Sequence, residues 1–124
     1  MISRTLAGVQ RRLRRLTLPI IPEIDIAEAA RRLQAVNPPR LVDVRQPAEF
    51  RDGHIPGALN HPLTSWELPS VLFEGGRDVL VVCASGHRSL LGAARLCWAG
   101  LTPVSIRGGT TAWTRAGLPL TRGE

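Results

Sequence analysis

The chain has 124 residues, which is the length of one domain, and its 44% hydrophobic and 21% charged residues are typical of a folded protein. All 16 Lys or Arg positions hold arginine, so the sequence excludes mechanisms that need a lysine, such as Schiff-base chemistry or a Walker A phosphate loop. Two cysteines are too few for a disulfide-dense scaffold or a four-cysteine zinc site, and no uncharged stretch is long and apolar enough to cross a bilayer.

The formal net charge of +6 is concentrated at the N-terminus. Residues 1–22 carry no acid and five arginines, namely Arg4, Arg11, Arg12, Arg14 and Arg15. The other 102 residues carry 11 arginines and 10 acids, so they are nearly neutral. This asymmetry, together with the two prolines of Pro19-Ile20-Ile21-Pro22, predicts a basic extension over 1–22 and a domain over 23–124.

An apolar stripe runs through the extension at alternating steps of four and three residues, at Ile2, Leu6, Val9, Leu13 and Leu16. The spacing predicts an amphipathic helix with its arginines mostly on other faces. One interpretation is a helix that lies on an anionic membrane surface or a partner protein. The other, which we favour, is a plain N-terminal helix that packs on its own domain, or a frayed tail.

The predicted elements of the domain alternate between helices and strands. Asp25 is a capping residue type ahead of an amphipathic pattern, which predicts a helix through Ala35 that Asn37-Pro38-Pro39 ends. The later predictions are, in order, a strand over 41–44, a helical turn over 47–50, a turn and short strand over 53–60, a loose helix over 64–74, a strand over 78–82, a helix over 89–99 closed by Gly100, a strand over 102–106 and a helix over 110–116.

The run 78–82, Asp-Val-Leu-Val-Val, is the clearest strand. It is apolar on both faces, as a central strand of a covered parallel sheet is. Strands that alternate with helices indicate an α/β domain. We therefore expect a three-layer α/β/α fold with a mainly parallel, roughly five-stranded central sheet.

The candidate chemistry lies in the loop that follows this strand, Cys83–Arg88. Ligands of open α/β sheets bind beyond the carboxyl ends of the strands, which is where Cys83 is placed. Gly86 lets the backbone curl so that successive amide N–H groups converge above the sulfur, and the following helix adds its positive terminus. These features favour the thiolate, and Arg88 and His87 add positive charge at the rim. The alternative is that Cys83 is a small apolar residue that ends a core strand.

The loop and its surroundings resemble the rhodanese family of sulfurtransferases. The resemblance covers about residues 23–120 and rests on three motifs in the expected order and spacing. The first combines Leu41-Val42-Asp43-Val44-Arg45, Glu49-Phe50 and Gly53-His54-Ile55-Pro56-Gly57-Ala58-Leu59-Asn60, the second is Val79–Cys83 with Ser85-Gly86-His87-Arg88-Ser89, and the third combines Gly108-Gly109, Trp113 and Gly117-Leu118-Pro119.

The resemblance implies a cysteine that takes a sulfane sulfur from a donor such as thiosulfate, becomes a persulfide and passes the sulfur to a thiophilic acceptor, either cyanide or a thiol. Cys83 is the implied nucleophile and carrier. The negative charge of the outer sulfur is held by backbone amides of the loop, from Ala84 through Ser85, Gly86 and His87 to Arg88. No cofactor or metal is implied. Two alternatives remain: a sulfur relay whose acceptor is a partner protein, and a non-catalytic interaction module.

Loop length separates this chemistry from phosphoryl transfer. Related phosphatases place an arginine six positions after the cysteine, in a wider cradle that fits a phosphate. Here Arg88 is five positions after Cys83, and position six is Ser89. The smaller loop fits a single sulfur atom better than a tetrahedral phosphate, because reacting groups must be held close.

Two other arginines are candidates for attracting an anionic donor. Arg45 and Arg51 follow the first predicted central strand. The alternative, which we favour, is that Arg45 pairs with a neighbouring acid and braces the structure while Arg51 is solvated. We interpret Asp43 as a structural hydrogen-bond acceptor, because sulfur transfer between thiolates needs no strong general acid.

The remaining reactive side chains form no further site. His54 and His61 have no metal-ligand spacing with Cys83, so no metal is expected. Cys97 is expected to pack on the inner side of its helix, with a resolving-cysteine role as the alternative. The three tryptophans are expected to be core or rim residues, and so few aromatics argue against nucleic-acid binding. The free thiols, with no recognisable secretion signal, predict a cytoplasmic location.

Overall fold

The central feature of the computed structural model, which describes residues 19–124, is one five-stranded sheet. Its strands are β1 (Glu23–Ile24), β2 (Arg40–Asp43), β3 (Leu59–Asn60), β4 (Val79–Val82) and β5 (Pro103–Ile106). Every neighbouring pair is parallel, and the order across the sheet is β1-β5-β4-β2-β3. The expected parallel α/β architecture is therefore confirmed, and β4 is its middle strand.

Helices connect these strands, as parallel pairing requires. They are α1 (Ile26–Leu33), α2 (Pro47–Asp52), α3 (Arg88–Trp98) and α4 (Gly109–Arg115), with a short 3-10 helix at Ser70–Phe73. Because every strand runs the same way, the chain leaves all of them at one edge of the sheet. The loop before α3 and the start of α4 both lie at that edge.

Two apolar cores lie on opposite faces of the sheet. Alternate residues of β4 and the cysteine after it join the core under α3, which contains Val79, Val81, Cys83, Ala93 and Leu96. The intervening β4 residues join the core under α1 and α4, which contains Leu80, Val82, Ala29, Ile106 and Trp113. Both faces of the sheet are thus covered, which is why β4 is apolar throughout.

Local signals placed the ends of the main helices. The Asp25 side chain accepts a hydrogen bond from the Glu28 amide at 2.9 Å and caps α1, although that helix ends at Leu33 rather than Ala35. Gly100 follows α3 with a φ of +97°, the left-handed conformation that ends many helices. These caps are set by residues within one turn of the helix end, so the sequence alone predicts them.

The loose helix predicted over 64–74 is wrong. Only Ser70–Phe73 is helical, as a 3-10 turn, and the segment before it is irregular. Pro69 explains the difference, because proline donates no N–H and pushes the preceding residue towards extended backbone. A continuous helix over 64–74 is therefore interrupted at Pro69, and the helical turn begins directly after it.

The predicted amphipathic helix of the extension lies outside the described residues. Within residues 19–124, the chain first joins the sheet at Pro22, whose carbonyl accepts a hydrogen bond from the Ser105 amide at 2.9 Å. The division into 1–22 and 23–124 stays a prediction. Within residues 19–124, no helix is both long enough and apolar enough to cross a membrane.

Candidate active site

Cys83 lies at the carboxyl end of β4, where the chain leaves the sheet. The first turn of α4 holds this end of the strand: the Thr110 amide donates to the Cys83 carbonyl at 2.8 Å, and the Thr111 amide donates to the Ala84 carbonyl at 2.9 Å. The cysteine is fully buried. Its backbone is therefore held both by the sheet and by a helix N-terminus before the loop begins.

The loop after Cys83 turns back over the sulfur. Gly86 has a φ of +100°, and its amide donates to Cys83 Sγ at 3.1 Å. A Cβ at this position would lie 3.0 Å from the Gly108 amide nitrogen, so a side chain has neither a suitable backbone conformation nor room. The predicted curl of the loop towards the sulfur is thus present.

A serine hydroxyl also lies close to the sulfur. Ser89 Oγ, in the first turn of α3, lies 3.5 Å from Cys83 Sγ and 2.7 Å from Ser105 Oγ on β5. All three side chains are fully buried. The sequence motifs include Ser89 but indicate no contact between its hydroxyl and the sulfur, and they do not include Ser105. A hydroxyl six positions after the cysteine, on the first turn of the helix, was the available signal.

Burial and hydrogen bonding act in opposite directions on the Cys83 thiol. Burial raises its pKa because the thiolate loses solvation, whereas hydrogen bonds from the Ser89 hydroxyl and from the amides of Ser89, Gly86 and Ser85 lower it. The hydrogen bonds outweigh the burial, and the pKa of Cys83 lies below its ordinary value. The loop therefore favours the nucleophilic form of the sulfur.

Arg88 is engaged by a carboxylate. Its guanidinium donates two hydrogen bonds to Glu49 of α2, at 2.7 and 2.9 Å. The ion pair lowers the pKa of Glu49 to about 2, with the Arg88 hydrogen bonds as the largest cause. The pair ties the loop to α2, and only part of the positive charge predicted at the rim is left for an incoming anion.

The rest of the rim is exposed. Ser85 Oγ and His87 Nδ1 lie 3.0 Å apart at the outer edge of the loop, and Ala84 is half-buried. Ser85 and His87 are open to solvent. The loop thus has a buried sulfur beneath an exposed polar rim, which is the arrangement expected when a small reactant approaches from outside.

Comparison with known proteins assigns the chain to a family. The family model of the rhodanese-like domain matches residues 25–116, a span that contains the whole sheet except the first strand and includes the loop around Cys83. The chain belongs to the rhodanese-like domain family. The resemblance inferred from the three motifs is therefore confirmed.

Relatives of this rhodanese-like domain cover most of its length. It is 38% identical to a protein named sulfurtransferase from Allochromatium vinosum, over 85% of this chain and 99% of that protein. It is also 38% identical to thiosulfate sulfurtransferase 16, chloroplastic, from Arabidopsis thaliana, over 64% of this chain and 78% of that protein. The crystal structure of a rhodanese-related protein from Thermoplasma volcanium superposes with a TM-score of 0.71 at 27% identity, covering 82% of this chain and 99% of that one.

Arg45 of the rhodanese-like domain links the end of β2 to the end of α2. It is buried, and its guanidinium donates to the fully buried Asp43 carboxylate at 2.9 to 3.1 Å and to the Gly53 carbonyl at 2.7 Å. The interpretation of Asp43 as a structural acceptor agrees with these contacts. Arg45 also lines a cleft of about 510 Å³ between α2 and α4, so its predicted contact with substrate stays a prediction.

The other reactive side chains of the domain lie apart from the loop. His54 is buried, with Nδ1 2.8 Å from the Phe50 carbonyl. His61 is also buried, and burial, followed by the charge of Arg95, lowers its pKa. Cys97 is half-buried on α3. Within the described range, no three His, Cys, Asp or Glu side chains are gathered as a metal would need.

Proposed function

We propose that this rhodanese-like domain is a sulfurtransferase that carries a sulfane sulfur as a persulfide on Cys83. The observation that carries the proposal is the set of polar groups around Cys83 Sγ at the carboxyl end of β4: the Gly86 amide donates to it at 3.1 Å, and Ser89 Oγ lies 3.5 Å from it. The lowered pKa of the thiol supports its use as a nucleophile. The sulfurtransferase names of two relatives support the same reaction class.

The first half-reaction loads the enzyme. The Cys83 thiolate attacks the outer sulfur of thiosulfate, a new S–S bond forms, and the S–S bond of thiosulfate breaks with its electron pair leaving on sulfite. Cys83 is then a persulfide whose outer sulfur carries negative charge. The loop amides, from Ala84 to Arg88, stabilise that charge as an oxyanion hole does for oxygen.

The second half-reaction unloads it. The carbon of cyanide, or the sulfur of a thiolate, attacks the outer sulfur, and the bond to Cys83 Sγ breaks with its electron pair returning to Cys83. The products are thiocyanate, or a persulfide on the acceptor, and the starting thiolate. Each step exchanges one bond to sulfur for another, so no external oxidant or reductant enters.

The anionic donor is attracted by the cations around the loop. Arg88 stands at the rim, and Arg45 lines the cleft next to α4, whose N-terminal amides hold the backbone of Cys83 and Ala84. Neither guanidinium is free, because Glu49 and Asp43 pair with them. We therefore assign both arginines a general electrostatic contribution to donor binding rather than a direct clamp on the anion.

The ion pair of Arg88 also argues against phosphoryl transfer. In a phosphate cradle, the loop arginine commonly gives two parallel N–H···O hydrogen bonds to the anion. Here the Arg88 guanidinium gives two hydrogen bonds to Glu49. The sixth position is filled by Ser89, whose hydroxyl lies 3.5 Å from the sulfur, so the site suits a single sulfur atom.

The test combines a rate with a mass measurement. Purified protein with thiosulfate and cyanide is expected to form thiocyanate, and intact-mass spectrometry after thiosulfate alone is expected to show one added sulfur atom. Cys83→Ser should abolish the added mass, while Cys97→Ser, the matched thiol control, should retain it. Absence of both thiocyanate and added sulfur, or added sulfur that follows Cys97, would overturn the proposal. Persulfide that forms but turns over slowly with cyanide points to a protein acceptor.

A further inference from the structure

Ser105 is a buried hydroxyl on a strand whose other residues are apolar. It pairs with Val81 across β5 and β4, and so lies on the same face as Val81 and Cys83, beneath α3. Its neighbour Ile106 belongs to the core on the opposite face. Among the residues that the structure describes, the Ser105 hydroxyl has one hydrogen-bond partner, Ser89 Oγ at 2.7 Å. An apolar residue would fill this position without the cost of burying a hydroxyl.

We propose that Ser105 is a positioning residue that acts through Ser89: by donating to Ser89 Oγ, it keeps the hydrogen of Ser89 on the sulfur of Cys83 and so favours the thiolate. The proposal rests on the proposed function only in that Cys83 is the nucleophile. Ser105 itself does not touch the sulfur or any reacting atom.

Ser105, Ser89 and Cys83 form a buried row of three hydrogen-bonding side chains, and the number of hydrogens that they carry depends on the ionisation of Cys83. The row has two contacts, Ser105 Oγ to Ser89 Oγ and Ser89 Oγ to Cys83 Sγ, and each contact takes one hydrogen as a hydrogen bond. With Cys83 as a thiol, the three side chains carry three hydrogens, and one of them has no acceptor among these side chains. With Cys83 as a thiolate, they carry two, and both contacts are used when Ser105 donates to Ser89 and Ser89 donates to the sulfur.

The direction of the hydrogen bonds therefore changes with ionisation. A thiol is a weak donor, whereas a thiolate is an acceptor that a hydroxyl stabilises by a charge-assisted hydrogen bond. Ser89 gives that bond most strongly when its own oxygen accepts from Ser105, because successive hydrogen bonds polarise one another. Without Ser105, the Ser89 hydroxyl keeps the sulfur contact but loses the partner that orients it.

The protein contains no tyrosine, which allows a direct test of this inference. In a Cys97→Ser background, the ultraviolet absorbance of the thiolate reports the ionisation of Cys83 without interference from tyrosinate. We expect Ser105→Ala to raise the pKa of Cys83 by about 0.5 to 1 pH unit, a three- to tenfold change in proton affinity, which is the size of one lost hydrogen bond. Ser105→Thr, which keeps the hydroxyl, is expected to titrate near the parent protein.

A double variant distinguishes positioning from an independent effect. Because Ser105 acts through Ser89, we expect Ser105→Ala to leave the titration unchanged when Ser89 is already alanine. The ionisable groups of the loop, Arg88 and His87, and the carboxylates of Glu49 and Asp43 that act on Arg88 stay the same in all of these variants.

An unchanged titration in Ser105→Ala would overturn the proposal, and so would an equal shift in the presence and absence of Ser89. A merely structural role would lower the free energy of unfolding and leave the titration where it was. The titration needs no sulfur donor. If Ser105→Ala shifts the titration of Cys83 but the parent protein forms no persulfide, the proposed function is refuted and this inference stands.

Discussion

Gly109→Ala tests how closely α4 supports the loop around Cys83. Gly109 is the first residue of α4 and has a φ of +58°. A Cβ at this position would lie 2.2 Å from the Cys83 carbonyl oxygen and 2.6 Å from the Ala84 carbonyl oxygen. Both carbonyls are already bound by amides of α4, so neither can swing aside without losing a hydrogen bond.

The size of the effect follows from these distances. A Cβ does not approach closer than 3.0 Å in practice, so α4 and the loop must separate by about 0.8 Å. The left-handed backbone costs an alanine about 1 to 2 kcal/mol. Overpacking of this kind adds about 1 to 3 kcal/mol. We therefore expect Gly109→Ala to lower the free energy of unfolding by about 2 to 5 kcal/mol.

Gly117→Ala is the matched control. Gly117 has a φ of +77°, and a Cβ there would meet nothing within 4 Å, so only the backbone cost of about 1 to 2 kcal/mol applies. Both variants are compared by denaturant unfolding and by sulfur transfer on the folded protein. Gly109→Ala should also slow the transfer, because it moves Cys83 relative to the Gly86 amide, and Gly117→Ala should not. If the two variants have equal free energies of unfolding and equal transfer rates, the close contact between Gly109 and the Cys83 and Ala84 carbonyls does not support the loop.

Two ion pairs give contrasting predictions. Glu49→Gln should lower the free energy of unfolding by less than about 1 kcal/mol, because both partners of the Glu49–Arg88 pair are more than a third exposed. Because the ion pair lowers the pKa of Glu49 from 4.5 to about 2, its contribution to stability is complete above pH 4.5 and is lost as the pH falls to 2. The urea midpoints of the parent protein and Glu49→Gln should therefore converge over that interval, and a constant difference would contradict a stabilising ion pair. Arg45→Met should cost about 3 to 5 kcal/mol by denaturant unfolding, because it leaves the buried Asp43 carboxylate without its cation, and a small loss would refute the brace. In the folded Arg45→Met protein, a raised KM for thiosulfate would support the electrostatic contribution of Arg45 to donor binding.

Local patterns in the sequence determined much of this domain. An uninterrupted apolar run predicted that 78–82 is a central strand, and the cysteine that ends the run then lies at the ligand-binding edge of a parallel sheet. Asp25 and Gly100 predicted the ends of two helices, since capping depends on neighbours within one turn. The helix predicted over 64–74, which the structure contradicts, contained a local signal against it in Pro69.

Only the tertiary structure decided which side chains meet around the loop that holds Cys83. Arg88 and Glu49 are 39 positions apart, and Ser89 and Ser105 are 16 apart. Their contacts depend on α2 lying beside the loop and on β5 lying next to β4, which the periodicity of each segment does not specify. The sequence by itself determined that Cys83 is a candidate nucleophile. The packing of α3, α4 and β5 around β4 decided how its charge is stabilised, because a buried hydrogen bond forms only where the fold brings donor and acceptor together.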